Sequence, residues 1–102
     1  MFKFLTSLFG KDPEFKSLVA KGAIIIDVRS PEEYKQGHIK GALNIPVEKM
    51  ASQVTKLKKE ASTVITCCRS GARSGRACEI LRKNGLEAYN GGAWNSLRTA
   101  LK

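Results

Sequence analysis

The chain has 102 residues, enough for one domain whose single hydrophobic core needs no disulfide or metal to close it. Its 42% hydrophobic and 26% charged residues exclude a disordered or fibrous protein, and 18 Lys and Arg against 9 Asp and Glu give a formal charge of +9 that favours anionic partners. No zinc-finger spacing, aromatic-rich RNA motif or basic zipper accompanies that charge, so small anions are the expected partners and nucleic acid is not.

At the N-terminus Phe2, Leu5, Leu8 and Phe9 recur at helical spacing. Residues 1–20 are expected to form an amphipathic helix and its lead-in, docked on a domain that occupies residues 21–102. Thr6 and Ser7 interrupt the apolar run and no small-residue cleavage site follows, so neither a secretory leader nor membrane contact is expected. Three cysteines, an odd number without a leader, argue for a reducing compartment, the cytoplasm, and against a disulfide framework.

From there strands and helices alternate. Ala23 to Val28 (AIIIDV) is a continuous apolar, β-branched run, the pattern of a strand buried on both faces of a parallel sheet. Ser30, Pro31 and Glu33 spell a helix start with a capping box, and Gly37 ends that helix about two turns later. Ala42 to Pro46 reads as a short strand, and Val47, Met50, Val54 and Leu57 mark the inner face of a helix. Thr63 to Cys67 (TVITC) is strand again, Arg73 to Asn84 helix with Ala77, Ile80 and Leu81 inward, and Gly85 its stop. Leu86 to Tyr89 forms a last strand, Gly91 and Gly92 a turn, and Trp94, Leu97 and Leu101 the stripe of a closing helix. The alternation predicts an α/β fold, an open parallel sheet with helices on both faces. In such sheets ligands bind at the carboxyl ends of the strands, where Asp27 and Cys68 fall.

Cys68 opens the loop CRSGARS, strung between a buried strand and a helix start. Successive backbone N–H groups in a loop of this kind converge on an anion-binding nest, which the helix N-terminus reinforces. Gly71 supplies the positive φ the wrap requires, and Gly75 keeps the first helical turn thin. A thiol in that nest, flanked by Arg69 and Arg73, is expected to ionise readily and to attack electrophilic sulfur or phosphorus without a general base. The one histidine, His38, lies far from the loop in sequence and is read as a hydrogen-bonding turn residue. No metal site is expected, since no C-x-x-C spacing supplies clustered ligands.

Asp27 to Pro46 (DVRSPEEYKQGHIKGALNIP) resembles the D-V-R-x-x-x-E-Y/F-x-x-G-H-I-x-G-A-x-N-I/L-P segment of the rhodaneses. Cys68 to Ser74 resembles the active-site loop of the single-domain members of that family, and Asn90 to Trp94 (NGGAW) their closing turn and helix. The resemblance implies a thiosulfate sulfurtransferase with a ping-pong cycle and no cofactor. Cys68 would carry a sulfane sulfur from a small anionic donor such as thiosulfate to cyanide, a thiol or a protein acceptor. By the same resemblance Arg69 and Arg73 bind the donor, and the amides of Arg69, Ser70, Gly71, Ala72 and Arg73 hold the persulfide. Ser70 and Ser74 are read as substrate hydrogen-bond donors or as shapers of the loop and the helix start.

Two other classes compete. Cysteine-dependent phosphatases and arsenate reductases use a loop one residue longer between Cys and Arg, and a catalytically silent interaction module would have no need of the nucleophile. Outside the loop the residues read as structure. Asp27 and Arg29 knit the site's edge, Cys67 and Cys78 are buried filler, and Trp94 is core or pocket wall.

Overall fold

The structure is a computed structural model that describes residues 14–102. The Phe2 to Phe9 stripe lies outside the described residues. A short helix, α1 (Phe15–Ala20), leads into β1 (Ile24–Asp27), α2 (Pro31–Lys35) and β2 (Leu43–Asn44). A 3-10 turn (Val47–Lys49) runs directly into α3 (Met50–Glu60), followed by β3 (Thr63–Cys68), α4 (Ala72–Lys83), β4 (Glu87–Ala93) and α5 (Trp94–Ala100). The four strands are all parallel and lie in the order β2-β1-β3-β4. β1 and β3 are thus the central pair, which is why their sequences are apolar on both faces.

Strand alternation divides the core in two. On one face Ile26, Val28, Val64 and Cys68 pack with Val47, Met50, Val54 and Leu57 and with Ala77, Cys78 and Leu81 of α4. On the other Ile25, Ile65 and Cys67 pack with Leu97 of α5, with Phe15, Leu18, Trp94 and Leu101 closing around them. The helix stripe read from Val47 to Leu57 is buried at all four positions, although its first turn is 3-10 rather than α. At α2 the capping box forms as expected. Glu33 N–H reaches the Ser30 hydroxyl at 3.3 Å, and Ser30 N–H donates to Glu33 Oε1 at 3.0 Å.

Two readings need correction. Gly91 and Gly92 are not a turn beyond the last strand, since β4 continues through both of them to Ala93. Glycine is required at position 91 by space: a Cβ there would lie 2.8 Å from the Thr66 carbonyl oxygen and 2.8 Å from Leu97 Cδ2. Nor does the chain leave the sheet before Cys68. After a register shift between Thr66 and Cys68, the cysteine pairs with Ala93, so its thiol stands on the last residue of a central strand.

Candidate active site

β3 delivers Cys68 to the carboxyl end of the sheet, and Arg69, Ser70 and Gly71 after it turn the chain into α4. Gly71 makes that turn with φ +106, a left-handed value glycine adopts without penalty, and it stands at the N-cap of the helix. The result is a cradle around one sulfur. Gly71 N–H donates to Cys68 Sγ at 3.0 Å, Ser74 N–H points to it at 3.4 Å, and the Ser74 hydroxyl lies 3.3 Å away. Burial pushes the Cys68 thiol up, but the Ser74 hydroxyl and the amides of Ser74, Gly71 and Ser70 together outweigh it and bring its pKa below the usual thiol value. Cys68 is fully buried, whereas Arg69, Ser70 and Ala72 of the loop that follows it are exposed.

Adjacent Cys67 has the opposite environment. It points to the α5 face, and burial, with the Asp27 charge adding to it, pushes its thiol up to about 12. Cys78 is buried on the α4 face, 3.2 Å from the Thr66 hydroxyl, and burial raises its pKa as well. All three cysteines are free.

The two arginines of the loop part company. Arg69 is exposed and has no ion-pair or hydrogen-bond partner among the described residues. Arg73 is gripped by Glu33 in a two-pronged pair, Nη1 to Oε1 at 2.8 Å and Nη2 to Oε2 at 3.0 Å. That pair, with the Ser30 amide, lowers the Glu33 carboxyl from 4.5 to about 2. Sequence reading assigned Glu33 only to the cap of α2. Its second task, anchoring the loop cation across 40 positions, leaves no local signal in the sequence.

Asp27 and Arg29 form a buried ion pair at the carboxyl end of β1. Arg29 Nη2 and Nε bond Asp27 at 2.6 and 2.8 Å, and the guanidinium also reaches the Gly37 carbonyl at 2.7 Å. Arg29 stacks over Trp94, 4.8 Å from the ring centroid, with Arg98 at 4.9 Å over the same ring. His38 is a turn residue held by the Tyr34 carbonyl at 2.7 Å and stacked on the Tyr34 ring. Asn90 is the other participant the sequence did not mark out: its side chain bonds the loop, Ser74 and the end of β4 together.

An open parallel sheet carrying a buried cysteine in an amide cradle at the end of one of its two central strands defines the class, an α/β protein with a hydrogen-bonded thiol at the carboxyl end of the sheet. Comparison with known proteins gives the family. The rhodanese-like domain model matches residues 12–95, and the chain belongs to that family. It is 41% identical over 80 residues to YqhL of Bacillus subtilis (strain 168), covering 78% of this chain and 62% of that protein. To the thiosulfate sulfurtransferase PspE of Escherichia coli (strain K12) it is 43% identical over 61 residues, 59% of each chain. The solved structure of a rhodanese with anions from E. coli superposes with a TM-score of 0.67 at 36% identity, covering 72% of this chain and 89% of that one. The chain spans less than two thirds of the length of either curated relative.

Proposed function

We propose that the protein is a thiosulfate sulfurtransferase that carries a sulfane sulfur on Cys68. The observation that supports this reading most directly is the pair of backbone donors aimed at the Cys68 sulfur, Gly71 N–H and Ser74 N–H, with the Ser74 hydroxyl beside them at 3.3 Å, which suits an anion at that point. The Cys68 thiolate attacks the sulfane sulfur of thiosulfate. The bond between the two thiosulfate sulfurs breaks, sulfite leaves with the electron pair, and Cys68 is left as a persulfide anion. Cyanide or a thiolate then attacks the outer sulfur, the bond to Cys68 Sγ breaks, and thiocyanate or a new persulfide departs as the thiolate returns. A thiol acceptor is a small molecule or a cysteine of another protein.

In this scheme exposed Arg69 meets the doubly charged donor at the rim and offsets its repulsion from the thiolate. Arg73, fixed by Glu33, supplies positive potential from the first turn of α4. Ser70, Gly71, Ala72 and Ser74 complete the persulfide cradle, and three unpaired thiols fit a reducing, cytoplasmic setting. Similarity to PspE, a thiosulfate sulfurtransferase by name, supports the choice of donor.

Intact mass spectrometry after incubation with thiosulfate, polysulfide and glutathione persulfide tests the reading and ranks the donors. The expected result is one added sulfur atom, removed by cyanide. No gain with any donor, or a gain that survives Cys68→Ala, overturns it.

A further inference from the structure

Asn90 is bonded on three sides. Its Nδ2 donates to the Gly71 carbonyl at 3.0 Å, and its Oδ1 accepts the Gly92 N–H at 2.9 Å and the Ser74 hydroxyl at 2.6 Å. The two backbone contacts settle which end of the amide is which, because a carbonyl only accepts and an N–H only donates. Gly75 leaves room for this arrangement, since a Cβ there would lie 3.3 Å from Asn90 Nδ2.

The Ser74 hydroxyl has one proton and two claimants. Asn90 Oδ1 holds it at 2.6 Å, while Cys68 Sγ lies on its other side at 3.3 Å. With the proton toward Asn90, Ser74 Oγ meets the sulfur as an acceptor. That suits a thiol, whose S–H can donate to Oγ, and opposes a thiolate, which needs donors. When Cys68 ionises, the hydroxyl must turn to the sulfur and release Asn90, whose oxygen then keeps only the Gly92 N–H.

We infer that Asn90 is a positioning residue for Cys68: its side-chain oxygen draws the Ser74 hydroxyl away from the sulfur and so sets how much thiolate the loop holds. Other charges about the sulfur are independent of Asn90. Arg73 acts on it from α4 with Glu33 of α2 paired behind, Arg69 stands exposed beside it in the loop, and Asp27 and Arg29, at and just beyond the end of β1, act on neighbouring Cys67. The 3-10 turn and the start of α3 contribute Val47 and Met50 to the same core cluster, and these carry no charge. The inference rests on the proposed function only in taking Cys68 as the nucleophile, and the test reads its ionisation directly.

Titration of thiolate absorbance, with Cys68→Ala as the blank, measures the Cys68 pKa in full-length variants. Asn90→Leu frees the Ser74 hydroxyl and should lower that pKa by about half to one pH unit, the worth of one neutral hydrogen bond. Asn90→Asp grips the proton harder, adds a negative charge and should raise it. The Gly71 carbonyl keeps its bond from Gly75 N–H at 3.0 Å in both variants, so the cradle does not depend on Asn90 alone. Shifts of the same sign in the two variants, or no shift in either, would mean that Asn90 merely braces the loop and would overturn the inference. So would an Asn90→Leu shift that persists in a Ser74→Ala background. If Asn90→Leu does not fold by circular dichroism, Asn90→Asp decides: its rise should be larger with Ser74 present than with Ser74→Ala, and equal rises overturn the proposal. Failure of the wild-type protein to take up sulfur would sink the proposed function and leave this titration intact.

Discussion

Cys67 and Cys68 are chemically identical side chains one residue apart, yet the fold shifts their acidities in opposite directions. Burial and the Asp27 charge hold Cys67 protonated up to about 12, while the donors on Cys68 overcome its burial. Cys68→Ala should therefore abolish both sulfur transfer and the added-sulfur mass. Cys67→Ala should keep both and cost about 1 kcal/mol in chemical denaturation, the scale of a small cavity under α5. A folded Cys67→Ala protein as inactive as Cys68→Ala would mean the two thiols cooperate. Arg69 allows a second test at this scale. Replacing it with a neutral residue should reduce turnover with thiosulfate about tenfold while sparing an uncharged sulfane donor, the loss of roughly one charge-assisted contact. Equal losses with both donors would assign Arg69 to loop shape.

Elements meet through residues with two duties. Glu33 closes the capping box of α2 and at the same time grips Arg73 of α4, so the first turns of two helices share one carboxylate. Its folded pKa, about 2, lies below the ordinary 4.5, so the carboxylate stabilises the fold above that ordinary value, and the contribution drains away as pH falls from 4.5 toward 2. Glu33→Ala should lower stability near neutral pH by about 1–2 kcal/mol, from one cap bond and one partly exposed ion pair. The gap between its melting temperature and that of the wild type should close across that acid window, and a gap that stays constant would show the charge to be irrelevant. Between β4 and α5 the constraint is steric. Gly91→Ala drives a Cβ onto the Thr66 carbonyl and Leu97, which should cost about 1–3 kcal/mol by urea denaturation. Unchanged stability there would mean that the strand shifts freely.

Over the whole molecule, the carboxyl end of the sheet is held by buried charge. Asp27 and Arg29 are both buried, bonded to each other and tied outward to the Gly37 carbonyl and the Trp94 ring. Asp27→Asn would strand the Arg29 cation without a full partner and should destabilise the protein by about 3–5 kcal/mol, read by denaturant midpoint. A loss below 1 kcal/mol, within the range of an exposed pair, would show that solvent reaches the pair. What the sequence by itself determined is local and periodic. The apolar run of β1, the strand at β3, the stripe from Val47 to Leu57 and the capping box at Ser30 each depend on neighbours within one or two turns, and each formed. The loop after Cys68 was legible for the same reason, since the amides that reach its sulfur, those of Gly71 and Ser74, lie within six residues of it. Only the tertiary structure decided that β4 runs on through Gly91, that Arg73 is held by Glu33 and that Asn90 reaches Ser74. These depend on how β3, β4, α2 and α4 come together across the sheet, and a contact between residues 16 or 40 positions apart leaves no period in the chain for its sequence to display.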